Sequence, residues 1–236
     1  NTGLADSAGG AFLTIQKAVD VICQTIDCGG YKITIRVKDG TYTGAVNITE
    51  TPLNAQDGIL YIEGNTATPA NCIISTTSAD CFYCEGPVFV DISGFELRTT
   101  TSGGCLYGWY GPIIYYENIR FGTCAESHIG GYNVSYNAGV YSIVGSAAYS
   151  HIDLYVGSKW TGFDDTITVS GTPSFGTPFV LLQHCSILQT NNTWSGAATG
   201  KRYELYANAV ADTAAGGANY FPGDSAGTTA AGAQYV

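Results

Sequence analysis

Methionine is absent from the chain, and lysine and arginine together number nine against 19 aspartates and glutamates. Those nine are scattered along the sequence. Phosphate backbones need clustered basic side chains, so nucleic acid is not an expected partner. A formal net charge of −10 also disfavours a polyanionic ligand in the absence of a metal. No apolar run approaches the roughly 18 residues of a spanning helix, so membrane insertion is not expected. No basic segment followed by an apolar one marks a signal peptide. Charged residues make up only 12% of the chain, which suits a fold held together by backbone ladders rather than ion pairs.

The chain does have many glycines and tyrosines, 31 and 17 in 236 residues, as many turns and aromatic strands require. It also repeats. Cys81-Phe82-Tyr83 returns as Cys105-Leu106-Tyr107, and the segment Val90 to Arg98 returns as Ile114 to Gly122, each 24 positions on. Phe95, Ile119, Ile143 and Ile167 continue that step, and Cys81, Cys105, Ile129 and Ile152 form a second series. A fixed period of this size marks a solenoid. Within each unit the apolar residues alternate, which is the period of a strand. A single coil cannot bury its own apolar face, whereas coils stacked about 4.8 Å apart build a continuous interior. The expected fold is therefore all-β, a parallel β-helix of about 24 residues per coil.

Residues 1–30 read as an opening loop and a capping helix. From Ala11 to Ile26, the residues Phe12, Ile15, Val19, Ile22 and Ile26 share one helical face, and Cys28-Gly29-Gly30 follows. Such a helix covers the strand edges and apolar interior exposed at a solenoid end. Residues 31–190 read as the β-helix. Residues 191–236 are rich in Gly, Ala, Thr and Ser with sparse aromatic anchors, and are expected to be an irregular segment packed on the helix or on neighbouring subunits.

Gly9-Gly10-Ala11-Phe12-Leu13-Thr14-Ile15-Gln16-Lys17-Ala18 resembles the opening of pectin-lyase-like right-handed parallel β-helices, as found in bacteriophage tail spikes, tail fibres and related virion proteins. The ending, from Gly200-Lys201-Arg202-Tyr203 through Asn219-Tyr220-Phe221-Pro222-Gly223 to Tyr235, resembles the C-terminal segments of phage and prophage β-helix proteins. The resemblance implies right-handed winding, a homotrimer and a place on the virion among other virion proteins.

Two function classes follow. The first is a non-enzymatic phage component, a tail spike, fibre tip or decoration protein, that contacts a host-surface glycan or protein or serves the architecture of the particle. Outward-facing aromatic rings would supply the contact. Trp109, Tyr110, Tyr116 and Trp160 are the candidates, although the interior can equally claim such rings. The second is a polysaccharide depolymerase, lyase or hydrolase. Enzymes of the resembled family use either calcium-binding aspartates with a basic residue or paired carboxylates. The first pattern is missing here. The best candidate pair is Glu117 with Asp165, two coils apart in the series Ser93, Glu117, Tyr141 and Asp165. Their expected spacing of roughly 10 Å lies near the separation of about 6.5–9.5 Å used by inverting glycosidases.

Cys81 and Cys105, level on adjacent coils, are within reach of a disulfide, or else pack as free thiols. Cys81-Phe82-Tyr83-Cys84 lacks the second ligand pair that a zinc site needs. His128 and His151 read as a packed or surface pair. Glu96 and Arg120 read as an exposed cross-strand ion pair. No metal and no cofactor is expected.

Overall fold

In the computed structural model the chain is a parallel β-solenoid of about eight coils; the structure describes Gly3, Ser7 and residues 9–236. The remaining residues of the expected opening loop (1, 2, 4–6 and 8) lie outside those described. The first seven coils each contribute a strand to each of three sheets, and the last turns add strands to the first and third alone. Among the described residues the first sheet runs through nine strands, from Ile33–Arg36 to Gln234–Tyr235. The second has seven, from Gly40–Tyr42 to Thr193–Ser195. The third has eight, from Val46–Ile48 to Thr228–Thr229.

The period reflects side-chain stacking. On the inner face of the first sheet Leu60 pairs with Val90, Val90 with Ile114, Ile114 with Tyr136, Tyr136 with Trp160, and Trp160 with Leu188. All are buried, so one apolar column threads successive coils. The steps in that column are 30, 24, 22, 24 and 28 residues, because turns lengthen or shorten while strands keep register.

This variation corrects one expected column. Ile143 does not stand over Ile119; Ile119 pairs with Tyr141, and Ile143 pairs with Phe121 and Val169. The coil from Ile114 to Tyr136 is two residues short of 24, so the fixed step overshoots by two. An even slip preserves which face points inward, and Tyr141, Ile143 and Ile167 are all buried. The third sheet slips by one. Leu106 pairs with Ile129, which places His128 rather than Ile129 level with Cys105.

The helix spans Ile15–Thr25, with Thr14 Oγ1 accepting from the Lys17 N–H at 3.1 Å. Ile15, Ala18, Val19 and Ile22 bury against the first coil. Gln16 seals an edge: its Nε2 donates to the Asn47 carbonyl (3.0 Å), and its Oε1 accepts from the Asn47 N–H (2.6 Å). These are backbone groups of the first strand in the third sheet, which would otherwise be open to pairing.

At the other end the expected irregular segment contains long turns, yet Thr193–Ser195, Tyr203–Leu205 and Val210–Asp212 continue all three ladders. Sparse anchors suffice because each strand pairs with one already in place. Tyr203, Phe221 and Tyr235 pack together, the rings of Tyr203 and Tyr235 being stacked at 4.2 Å.

The eight cysteines are free thiols. Cys81 and Cys105 are level and fully buried, and no disulfide joins them; Cys81 Sγ donates to the Arg98 carbonyl and Cys105 Sγ to the Leu97 carbonyl. The Glu96–Arg120 pair forms, with Nε 2.7 Å from Oε2, but it is not exposed as expected. The Glu96 carboxylate is buried, and it is gripped by Arg98 as well.

Candidate functional site

The outer face of the third sheet carries two adjacent columns. One runs Glu85, Trp109, Tyr132 and Tyr155, the other Tyr83, Tyr107, Gly130 and Asp153. Strand alternation sends these residues outward while Phe82, Leu106, Ile129 and Ile152 fill the core. In the first column the rings are continuous, with centroids 4.7 Å apart for Trp109 and Tyr132 and 5.9 Å for Tyr132 and Tyr155. In the second, Tyr83 and Tyr107 stack at 6.3 Å with planes 12° apart, and then the ladder loses its ring at Gly130.

That gap opens a cleft of about 290 Å³ walled by Tyr107, Trp109, Tyr132, Tyr155, Tyr149 and Asp153, with Glu126 and Ser127 at its side. A Cβ at Gly130 would lie 3.0 Å from Tyr107 Cε2, so a larger residue there would make the Tyr107 ring give by a few tenths of an ångström.

Three carboxylates meet around Tyr107. Asp153 Oδ2 accepts from Ser127 Oγ at 3.3 Å, while its Oδ1 is buried without a hydrogen-bond partner. Burial pushes the Asp153 carboxyl up to about 6. Asp80 Oδ1 accepts from the Gly104 N–H at 2.6 Å. Burial raises the Asp80 carboxyl to about 6 against the opposing pull of that hydrogen bond, with the charge of Glu126 adding to the rise. Glu126 Oε1 accepts from the Gly103 N–H at 3.0 Å. The Tyr107 hydroxyl is pushed up to about 12, by burial first and then by Asp80, Asp153 and Glu126. Among the described residues no lysine, arginine or histidine lines the cleft.

Of the candidate aromatics, Trp109 lines this cleft, and Tyr110 stands beside it, exposed and edge-on to Trp109 at 5.0 Å. Tyr116 and Trp160 do not present rings to a ligand: both are buried in the core, where Trp160 Nε1 donates to the Tyr116 hydroxyl at 2.8 Å. They belong to the inward set of the first sheet, and strand parity decides that over ring chemistry. Glu117 lies on the outer face of the first sheet, in a shallow hollow with Asp91 and Tyr115. The position above it is Gly139, since Tyr116 pairs with Ala138; Tyr141 belongs to the second sheet. Asp165 sits just before Thr166–Val169 of that second sheet, its N–H donating to Asn192 Oδ1. The expected column through Glu117 and Asp165 is therefore broken.

The sequence reading missed Asp80, Glu126, Asp153 and Gly130. The signal available was a ring column, Tyr83 then Tyr107, whose next member is glycine.

Among the described residues no group of three or more His, Cys, Asp or Glu side chains is placed to hold a metal ion. Chemically the cleft offers flat apolar ring faces, hydroxyls and carboxylates that accept from hydroxyl donors, the combination that grips a sugar ring. The molecule is thus an all-β parallel β-solenoid with an aromatic, acidic cleft on its outer wall. Comparison with protein families, curated proteins and solved structures finds no match to this chain.

Proposed function

We propose that the chain is a non-enzymatic component of a bacteriophage virion, a tail spike, fibre tip or decoration protein, that attaches to a host-surface glycan through the third-sheet cleft. The observation that carries this reading is the interrupted aromatic ladder: Trp109, Tyr132 and Tyr155 stand beside the gap at Gly130 on an outer face. Solenoid strands hold those rings at fixed spacing, so little ordering remains to be done on binding. The resemblance of residues 9–18 to phage β-helix openings supports the virion setting and a homotrimer.

An array of bacterial surface polysaccharides tests it. Binding is expected for the wild-type chain and is expected to vanish in Trp109→Ala at unchanged melting temperature. Binding by that variant at wild-type strength would refute the reading. Native mass spectrometry is expected to give three times the 24.7 kDa chain mass, and a monomer would refute the trimer.

A second reading, depolymerisation, is favoured by one observation. Asp80 and Asp153 flank Tyr107, and burial raises both into the range where a carboxyl can donate a proton near neutrality. It predicts new reducing ends from polysaccharide, abolished by Asp153→Asn.

A further inference from the structure

We infer that the third-sheet cleft is a subsite for an uncharged sugar ring and that its carboxylates act as a filter against acidic glycans. The inference rests on the attachment reading above and adds the chemical class of what is held.

Three features carry it. The first is shape. The missing rung at Gly130 leaves a gap in a column where side chains otherwise stack coil upon coil. A pyranose ring fits in the cleft beside that position, with Tyr107 and Trp109 in its wall. The volume of about 290 Å³ is at the small end of the roughly 300–1,000 Å³ of ligand pockets, which suits one or two rings rather than a long enclosed chain.

The second is polarity. Every charged side chain lining the cleft is a carboxylate, Glu126 and Asp153, with Asp80 close behind on the Gly104 N–H. Sugar hydroxyls are donors, and the Asp153 carboxylate that lines the cleft is an acceptor for them.

The third is the lack of compensation. A uronate or sialate carboxylate would enter beside these groups with no lysine, arginine or histidine among the described residues of the wall to pair with it. Like charges brought together in a partly buried site oppose binding, and suppress wrong partners more than they reward right ones. The chain-wide charge of −10 works in the same direction at longer range.

The test uses matched neutral and uronate- or sialate-bearing oligosaccharides printed on one array and probed near neutral pH. For the wild-type chain, acidic members are expected to bind about tenfold more weakly than their neutral parents, or worse. Glu126→Gln is expected to narrow that gap to about threefold while keeping the neutral binding, and Asp153→Asn, which alters the acceptor itself, is expected to narrow the gap while also weakening neutral binding. Glu126→Gln keeps the acceptor for the Gly103 N–H and alters only an edge of the cleft, so it guards against misfolding of the more buried variant. Equal binding of acidic and neutral members by the wild type overturns the inference, as does a gap unmoved in both variants. If acidic and neutral glycans bind alike and Trp109→Ala abolishes both, attachment through the cleft stands and the filter falls. If no glycan of either kind binds, both fall.

Discussion

His128 and His151 meet inside the solenoid with their Nδ1 atoms 3.1 Å apart, both rings fully buried. The outer contacts fix the tautomers. His128 Nε2 faces the Gly122 carbonyl at 2.9 Å and must carry a proton, so its Nδ1 accepts. His151 Nδ1 therefore donates, and its Nε2 accepts from the Tyr141 hydroxyl at 2.9 Å. A single polarised line runs from Tyr141 to Gly122 with both imidazoles neutral.

That line makes the fold sensitive to acid. Burial pushes His128 down to about 4 and His151 well below its ordinary value, with His128 adding to the latter. The unfolded chain takes up these protons near 6.5 and the folded chain does not. Their contribution to stability is complete above about 6.5 and is lost as pH falls from there toward 4. Melting temperature measured against pH is expected to fall on that limb. His151→Phe, which continues the position occupied by Phe179 on the next coil, is expected to lessen the slope. It also leaves the Tyr141 hydroxyl without its acceptor, a cost of about 1–3 kcal/mol at neutral pH.

Asp80 and Asp153 act with the opposite sign. Their folded values are raised, so the folded chain binds more protons between about 4 and 6, and stability declines as pH rises through that window. Asp80→Asn keeps an acceptor for the Gly104 N–H while removing the charge. Denaturant unfolding at neutral pH is expected to show a gain of about 1–3 kcal/mol, shrinking to little at acidic pH. A loss of stability at neutral pH would show that the ionised form is the one the fold favours.

The core column can be tested by truncation. Trp160→Ala removes the largest buried side chain of the stack and leaves the Tyr116 hydroxyl without its donor. The expected loss is about 3–5 kcal/mol. Trp160→Phe keeps most of the apolar volume, and its cost is expected to be about 1–3 kcal/mol, from the lost hydrogen bond and the unfilled space. Urea titration of both variants separates the two contributions.

Gly94 closes the turn between the first and second sheets with φ at 77°, and a Cβ there would lie 2.7 Å from Asn65 backbone atoms of the coil below. Gly94→Ala thus meets both a strained backbone and a clash that no side-chain rotation relieves. It is expected to lower stability by more than about 3 kcal/mol, or to prevent soluble expression. A melting curve like that of the wild type would show that adjacent coils can separate locally.

The architecture was legible because a solenoid writes its geometry into the sequence as a period. Cys81 over Cys105 and Glu96 beside Arg120 follow from counting, and so does the helical face of Ile15, Val19 and Ile22. Counting loses track where a turn changes length, as between Ile114 and Tyr136, and Glu117 with Asp165 fails as a column for that reason. Burial of single residues was harder to read. Trp160 and Trp109 are alike as letters, and only register sends one inward and the other to the surface. The carboxylates of the cleft were invisible because Asp80 and Glu126 sit in turns, where acidic residues are usually solvated, and here the neighbouring coil covers them.

The three tryptophans occupy three depths, which gives the molecule its own optical labels. Trp160 is sealed in the middle of the stack, Trp194 is partly covered among Tyr141, Phe179 and Phe221, and Trp109 borders the cleft. Indole emission shifts to longer wavelength when water arrives, and a soluble quencher reaches only the indole near solvent. Occupancy of the outer wall and rupture of the interior should therefore appear as different changes in one emission spectrum.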